Sequence, residues 1–424
     1  MSPKVTSDAW LVAAVCAFFG LLGWAFYITA FSREPSQDWM VFYTAATAYW
    51  DDKLPLILDG EQLTALINER FSTWLSWPLP LHPWLYPPHY LLYLLPFGLI
   101  PPTLSCALFL LIGLTQAIIA TWTVAASVCQ RWIHAISLML CPAAAITVCL
   151  GQNAFLASAL MLAGFGLVGR RPVLGGTLLG ALSFKPQLCI LVPVALAAAC
   201  QWRALASAAI AATLLVLLSL FVFGVEPWSA WFHLLLGSSV AYENWVAVGR
   251  LNGQSVYTCA VLLGASKLVA NLAQSAACLL AAGCTFWIFR RAAPLPLQTA
   301  VVLSATTLAA PHIIGYDAVM LAIAAALLFC HVYEEHLRRG EAIIIMAAWL
   351  SPLSNPPSVF WPGLLTPVVI ALFLGCTILR ATECPDRRID PVSQRPPQNE
   401  GQTGDDHNWP ERNAAKGDPV RGVP

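Results

Sequence analysis

Charged residues are scarce in this sequence. Only 10% of the 424 residues are Asp, Glu, Lys or Arg, whereas soluble domains carry about 25%. Hydrophobic residues make up 58%, and the mean hydropathy is +0.69. The 22 basic residues balance the 22 acidic ones, so the formal net charge is zero. This composition excludes an ordinary soluble domain, and without a basic excess we expect no nucleic-acid partner.

Motifs for disulfides and metals are also missing. The 13 cysteines lie almost entirely inside apolar segments, none falls within 32–83, and no two are spaced as Cys-x-x-Cys. These features argue against a disulfide framework and a zinc site, so we interpret the cysteines as small buried apolar residues. No Asp-x-Asp motif occurs in the predicted outer loops, and we interpret the Asp51-Asp52 pair as a helix end. We therefore predict no metal and no other cofactor.

Long apolar runs, by contrast, recur from Trp10 to about Leu379. They predict an all-α polytopic membrane protein. The basic residues that close these runs orient the chain, because Lys and Arg are enriched in cytoplasmic loops. With those residues and Lys4 in the cytoplasm, both termini lie inside and the twelve predicted spans are 9–31, 103–128, 132–150, 153–169, 172–184, 186–200, 204–223, 267–289, 297–311, 313–333, 342–356 and 362–380.

Two segments do not fit this series of spans. Residues 84–101 are apolar but short and interrupted by prolines, so we predict a re-entrant or interfacial segment. The tail 383–424 is rich in Pro, Asp, Arg and Asn, and we predict that it is disordered and cytoplasmic. Residues 1–382 then form one transmembrane domain.

Two long loops are predicted on the outer side. The first, 32–83, is expected to contain two interfacial helices, at about 38–50 and 60–76. Ser36 is the expected N-cap of the first helix. The second outer loop covers 224–256 and is rich in tryptophan.

The few polar residues gather on one side of this predicted topology. Each cluster lies at a junction opposite the cytoplasm, whereas a transport path would place polar groups within the membrane or on both faces. Inside the spans, Gln116 and Asn271 stand out as amides. One-sided clustering indicates an active site at the outer surface. The clusters are Gln37-Asp38-Trp39, Tyr86-Pro87-Pro88-His89, Gly151-Gln152-Asn153, Lys185-Pro186-Gln187, Asn252-Gly253-Gln254-Ser255 and Pro311-His312 with Tyr316-Asp317.

Asp38 and Lys185 are charged residues at costly positions. Asp38 follows the first span, where partial desolvation raises a carboxyl pKa and suits a general base. Alternatively, Asp38 only complements a helix dipole. Lys185 lies between two short apolar spans, where an ionisable group indicates a function by default. Its ammonium suits a phosphate, and the alternative is a lysine whose head reaches the lipid headgroups.

The remaining candidates supply a titratable ring, amides and aromatic side chains. His312 could bind a phosphate or move a proton, or it could form a capping cluster with Tyr316 and Asp317. The amide side chains could bind sugar hydroxyls, or they could simply form polar links between spans; these residues are Gln152, Asn153, Asn252 and Gln254. Further candidates for contact with a substrate are Gln187, Arg250, Tyr86 and His89.

In their order along the chain, these motifs resemble those of glycosyltransferase family 87, the polyprenyl-phosphate-mannose-dependent mannosyltransferase-like proteins of the GT-C superfamily. The resemblance spans about residues 10–380 and implies a GT-C-like fold with about 12 transmembrane helices plus re-entrant or interfacial helices. It rests on Asp38-Trp-Met-Val-Phe-Tyr, Tyr86-Pro-Pro, Gly151-Gln152-Asn153, Phe184-Lys185-Pro186-Gln187, Asn252-Gly-Gln-Ser and Pro311-His312 with Tyr316-Asp317.

The resemblance implies an inverting transfer of mannose or another hexose from a polyprenyl-phosphate donor to a lipid or glycan hydroxyl. Asp38 is the expected general base. His312 and Lys185 are expected to hold the donor phosphate, with Arg250 as a third cation. Because the leaving group is a monophosphate, side-chain cations could suffice without a metal. The reaction is expected among membrane lipids, on the periplasmic face of the inner membrane.

Two other functions remain open from the sequence. One is a transporter or flippase of lipid-linked saccharides, and the other is a non-catalytic assembly factor in which Asp38 only caps a helix. The enzyme alone requires the Asp38 carboxylate as a base, so exchange of Asp38 for Asn would separate the three functions.

Overall fold

The computed structural model describes residues 7–32, 36–235, 253–291, 293–333, 337–354 and 364–384. Over these ranges the chain is helical, and the only strand-like feature is an isolated antiparallel bridge between Gly253 and Ile314. The all-α prediction is therefore confirmed for the described part of the chain. The predicted tail lies outside it beyond Cys384.

The helices follow one another with short connections. The first half contains α1 (Ser7–Ala30), α2 (Gln37–Trp50), α3 (Gly60–Arg70), α4 (Tyr90–Leu94), α5 (Pro102–Thr121), α6 (Val128–Leu140), α7 (Pro142–Leu150), α8 (Ala154–Val168), α9 (Pro172–Ala181), α10 (Pro186–Cys189) and α11 (Val192–Ala198). The second half contains α12 (Trp202–Phe223), α13 (Glu226–Leu235), α14 (Val256–Leu262), α15 (Lys267–Arg290), α16 (Leu295–Ala309), α17 (Val319–Tyr333), α18 (Arg339–Leu350) and α19 (Thr366–Glu383). Short 3₁₀ turns cover Leu54–Leu58, Leu95–Leu99, Leu182–Phe184, Gly315–Ala318 and Ser351–Ser354.

Six helical segments are long and apolar enough to cross a membrane: Ala9–Ala30, Pro102–Thr121, Trp202–Phe223, Lys267–Arg290, Gly315–Tyr333 and Thr366–Glu383. A seventh crossing is possible if α6 and α7, which meet at a 54° bend before Pro142, form one broken span. Each of the twelve predicted spans contains helix, but the others are apolar helices of 10–17 residues. The structure therefore supports a polytopic membrane protein with six or seven spans by length.

Burial separates helices of similar hydrophobicity. In the most apolar stretch of Gly315–Tyr333, which includes α17, 89% of residues are buried inside the protein. In the corresponding stretch of α12, only 17% are buried. Leu214 and Phe221 of α12 are exposed, at 59% and 88%. A helix that is apolar all round belongs in a protein core or in lipid. Here α17 occupies the core, and α12 presents its side chains to the bilayer.

The first of the two predicted interfacial helices, at about 38–50, does not lie at a surface of the protein. Residues 39–48 of α2 are buried on every side, so this helix is enclosed by protein. The proline-interrupted residues 84–101, called the broken segment below, cover α2: Trp50 Nε1 donates to the Leu95 carbonyl and the Tyr43 hydroxyl donates to the Ile100 carbonyl. Ser36 precedes α2, but its side chain makes no capping hydrogen bond.

One end of the bundle, called the basic end below, carries Arg290 and Arg291 at the end of α15. Arg290 Nη1 reaches Cys200 Sγ at 3.7 Å. Arg291 Nη2 donates to the carbonyls of Thr382 and Cys384 at 3.1 and 3.0 Å. The Sγ of Cys384 lies 3.9 Å from His331 in the last turn of α17. Because α17 is about 22 Å long at 1.5 Å per residue, this basic end is remote from the residues that precede Val319.

Candidate functional site

Asp38 lies in the first turn of α2 and is held there by a glutamine from another element. Gln152 Nε2 donates to Asp38 Oδ2 at 2.8 Å. Gln152 belongs to the turn that joins α7 to α8, where Gly151 has a φ of 69°. A Cβ at Gly151 would lie 2.4 Å from the Cβ of Trp39. Glycine is therefore required for both the left-handed backbone and the close approach of this turn to α2.

The surroundings of Asp38 favour a stronger base. Burial raises the pKa of Asp38, and the nearby charges of His82 and Lys185 and the hydrogen bond from Gln152 oppose part of that rise. The side chain is nevertheless only half-buried. A carboxylate with a raised pKa that a substrate can still reach is suited to proton abstraction.

Tyr86 completes a small network around this carboxylate. Its hydroxyl donates to Gln152 Oε1 at 3.2 Å, while the amide nitrogen of Gln152 donates to Asp38. The two contacts fix which end of the Gln152 amide faces the carboxylate, because only the nitrogen can donate. Phe42 packs edge-on against Tyr86, with ring centroids 5.3 Å apart.

Lys185 forms a buried ion pair with Asp317. The Nζ atom lies 2.8 Å from Asp317 Oδ1, and only 3% and 5% of the two side chains are exposed. Lys185 follows the 3₁₀ turn that ends α9, and Asp317 belongs to the 3₁₀ turn before α17. The ammonium also lies 5.0 Å from the centre of the Tyr316 ring, a cation–π contact.

Two further site segments pair with each other. The backbone N–H of Gln254 donates to the Ile313 carbonyl at 2.9 Å, next to the bridge between Gly253 and Ile314. This pairing brings the Gln254 segment beside His312, whose side chain is exposed. The charges of Asp317 and Lys185 both reach the His312 ring.

Two buried amides in this region lack hydrogen-bond partners among the described residues. The Oδ1 and Nδ2 of Asn153 and the Nε2 of Gln254 are buried and make no hydrogen bond of normal geometry within the described chain, although the hydroxyls of Tyr86 and Tyr90 lie near the Asn153 amide. A buried polar group without a partner is costly. Side-chain amides that carry this cost beside a carboxylate and an ammonium are suited to bind the hydroxyls of a polar ligand.

His89 lies beside this cluster and is held by two contacts within the protein. Its Nε2 lies 3.1 Å from Ser183 Oγ, and its ring stacks on Trp228 with a centroid distance of 5.8 Å. Burial lowers the pKa of His89 to about 4. The ring is therefore neutral at physiological pH, and His89 connects the broken segment to the turn that carries Lys185.

The structure brings together most residues that the sequence indicated. Gln187, in contrast, is half-buried on α10 and makes no hydrogen bond with the cluster within the described chain. Arg250 and Asn252 lie outside the described residues. The residues that converge are Asp38, Tyr86, Gln152, Asn153, Lys185, Gln254, His312, Tyr316 and Asp317.

Sequence reasoning missed several contributors. His82 lies near enough to act on the Asp38 carboxylate, and Ser183 bonds His89. Gln274 is a further amide inside a predicted span, and the structure shows it buried. A careful count of amides in the spans would have found Gln274. His82 and Ser183 carry no local sequence signal. No group of three His, Cys, Asp or Glu side chains in the described ranges is arranged to hold a metal.

The family comparison covers part of the candidate site. The family model of glycosyltransferase family 87 matches residues 84–311, more than half of the chain. No curated protein and no solved structure matches the chain. The matched region includes Lys185, Gln152 and Asn153, whereas Asp38 precedes it and His312 and Asp317 follow it. Membership of this family implies membrane glycosyltransferase activity, with a sugar donor and an acceptor. The chain belongs to glycosyltransferase family 87.

Proposed function

We propose that this membrane glycosyltransferase moves a hexose from a polyprenyl-phosphate donor to a hydroxyl of a lipid or glycan. The observation that supports this most strongly is the convergence of a half-buried carboxylate and a buried ammonium. Asp38 is within electrostatic reach of both Lys185 and Asp317, although these residues come from three distant parts of the chain. A base and a cation in one site match the two ends of a glycosyl transfer from a phosphate.

Asp38 acts as the general base in this proposal. Its carboxylate takes the proton of the acceptor hydroxyl, whose oxygen then attacks the anomeric carbon of the donor sugar. The bond between that carbon and the phosphate oxygen breaks, and the electron pair leaves with polyprenyl phosphate. Attack from the face opposite the phosphate inverts the anomeric configuration.

Lys185 and His312 stabilise the departing phosphate. Negative charge grows on the phosphate as the bond breaks, and a cation placed where charge develops lowers the barrier. Lys185 uses one hydrogen bond for Asp317, and an ammonium has three donors. Arg250 and Asn252 remain candidates for the same ligand on sequence grounds.

The unpaired amides of Asn153 and Gln254 are proposed to bind sugar hydroxyls, together with the Tyr86 network. Mannose is the first sugar to test, and other hexoses are the alternatives. Buried amides discriminate strongly, because a sugar that lacks the matching hydroxyl leaves them unpaired.

The depth of the site suits a donor that arrives within the bilayer. Gln274 contacts the end of α16 at Leu308 and Ala309, about 10 Å along α15 from Lys267. The site segments that follow α16 therefore lie deeper in the bundle than the Lys267 end of α15. We assign the basic end to the cytoplasm, which places the site on the periplasmic side of the inner membrane within a GT-C-like, twelve-crossing topology.

The test is sugar transfer by the full chain reconstituted in liposomes. Labelled polyprenyl-phosphate hexoses and an extract of lipids and glycans are supplied to wild type and to Asp38→Asn. We expect the label to enter a new product with wild type, and the rate to fall by about 10²- to 10⁴-fold in the variant.

Asp59→Asn is the matched control. It makes the same chemical change in the same loop, where Asp59 only caps α3 through Glu61 and Gln62, and Asn also caps helices. Its rate should stay near wild type. Equal rates for wild type and Asp38→Asn would remove Asp38 as the base. Translocation of an intact lipid-linked sugar without transfer would instead establish the flippase.

A further inference from the structure

Gln274 is a buried amide inside α15, a membrane-spanning candidate, and only 7% of it is exposed. A polar side chain is tolerated at such a position when its hydrogen bonds are made within the protein. Gln274 makes three. Its Nε2 donates to the carbonyls of Leu308 and Ala309 at 3.1 and 3.0 Å, and its Oε1 accepts from the Tyr257 N–H at 3.0 Å.

These bonds join two helix ends that would otherwise lack partners. The last carbonyls of a helix and its first N–H groups have no partner within the helix. Leu308 and Ala309 end α16, and Tyr257 lies in the first turn of α14. One side chain therefore satisfies the end of one helix and the start of another.

Each of these helix ends adjoins a segment of the candidate site. Ala309 leads directly into the segment that carries His312 and Asp317, and Tyr257 follows Gln254. The two segments also bond each other through the Gln254 N–H and the Ile313 carbonyl. Gln274 thus closes a hydrogen-bonded ring that includes both segments and is anchored on α15.

We infer that Gln274 is a positioning residue for sugar transfer: it fixes His312, the Asp317–Lys185 pair and Gln254 relative to one another without touching substrate. This inference rests on the proposed function. Correct placement of groups that stabilise a leaving phosphate matters most in the transition state, because a 1 Å error can cost about 10²-fold in rate. The loss of Gln274 should therefore lower kcat more than it raises KM for the donor.

The test compares Gln274→Met with wild type. Methionine matches the length of glutamine but removes all three hydrogen bonds, so packing is kept while the ring is broken. We expect kcat to fall on the order of 10- to 100-fold. We also expect faster hydrogen exchange at the amides of Tyr257 and Gln254, measured by mass spectrometry with fragment-level resolution. The Gln254 amide is the diagnostic one, because it does not contact Gln274.

Gln116→Met is the matched control. It makes the same substitution in another membrane-spanning candidate, α5, where the side chain is exposed. Its exchange and kinetics should equal those of wild type. Wild-type exchange at Gln254 together with a wild-type kcat in Gln274→Met would overturn the inference, since packing alone would then suffice.

Gln274→Glu keeps the test decisive if the methionine variant does not fold. A glutamate can accept from Tyr257, but in neither protonation state can it donate to both carbonyls. We expect an intermediate kcat and intermediate exchange, and wild-type values for both would contradict the inference. Failure of the proposed function is visible separately, as absence of transfer by wild type, and the exchange measurement does not depend on it.

Discussion

The two ends of α17 each adjoin a buried ion pair, and the two pairs are built differently. At the site end, Lys185 Nζ makes a single 2.8 Å bond to Asp317. At the basic end, Arg380 Nε and Nη2 bond the two oxygens of Glu341 at 2.5 and 2.6 Å. Glu341 also accepts from the Arg338 N–H at 3.0 Å. The Lys185 ammonium acts as a point charge, whereas the planar guanidinium of Arg380 holds both oxygens of Glu341.

This difference separates a pair held by one contact from a pair held by two parallel contacts. Both oxygens of Glu341 are occupied by Arg380, and bidentate geometry fixes both side chains. In the proposed function, Lys185 turns one of its remaining donors to the donor phosphate while it stays beside Asp317. Burial alone therefore does not distinguish the two pairs, because all four side chains are buried. The geometry of the contact distinguishes them: Lys185 makes one contact with Asp317, whereas Arg380 holds both oxygens of Glu341.

The largest effect is expected when each pair is replaced as a unit by apolar residues. Such replacement is often neutral for stability, because desolvation of the charges is avoided. Lys185→Met with Asp317→Leu should therefore fold and lose transfer by about 10³-fold, as the leaving phosphate loses its cation. Glu341→Leu with Arg380→Met should fold and retain its rate. Steady-state transfer in liposomes, normalised to folded protein, checks both.

Breaking the basic-end pair alone is expected to lower the stability of the protein. Arg380→Met leaves the Glu341 carboxylate buried without its main partner, which should cost about 3 kcal/mol of unfolding free energy. Denaturant unfolding in detergent measures this loss. The Arg380→Met, Glu341→Leu double variant should recover most of it. Equal stability of the single and double variants would show that Glu341 and Arg380 do not act as a pair.

The smallest effect concerns pH and the Gln152 contact. Burial raises the pKa of Asp38, and the deprotonated form is the base, so kcat/KM should fall with acid at a pH above the ordinary aspartate value of about 3.9. Gln152→Leu removes a hydrogen bond that favours the charged form of Asp38, so the fall of kcat/KM with acid should move to still higher pH. The rate near neutral pH should drop by about tenfold. Glu341→Gln, at the basic end of the bundle, should leave the pH of this fall unchanged. If kcat/KM falls at the wild-type pH in Gln152→Leu, Asp38 is not the titrating group.

The sequence predicted the apolar segments and their order well, because hydrophobic runs and closing arginines are local signals. Length supports six of the twelve predicted spans, or seven with the bent pair, since apolar helices such as α8 and α16 show the same hydrophobic pattern without reaching membrane thickness. The sequence pattern also placed α2 at the bilayer surface. Its aromatic residues pack inside the protein against the broken segment, and such long-range packing has no sequence period.

The candidate site was predicted as a set of motifs but not as a geometry. Polar clusters at junctions identified Asp38, Gln152 and Lys185. Which of them bond each other depends on residues more than a hundred positions apart, such as Gln152 with Asp38 and Lys185 with Asp317. The roles of Gln274 and His82 depend on tertiary contacts in the same way, so inspection of each motif alone could not assign them.

Equilibrium binding of polyprenyl phosphate tests the central distinction most directly. The ligand is titrated against three reconstituted proteins: wild type, Lys185→Met with Asp317→Leu, and Glu341→Leu with Arg380→Met. We predict that wild type and the basic-end double variant bind with equal affinity, and that the site double variant binds at least about tenfold more weakly, the loss of one charge-assisted hydrogen bond. Equal affinity for all three proteins would contradict the assignment of Lys185 to the donor phosphate.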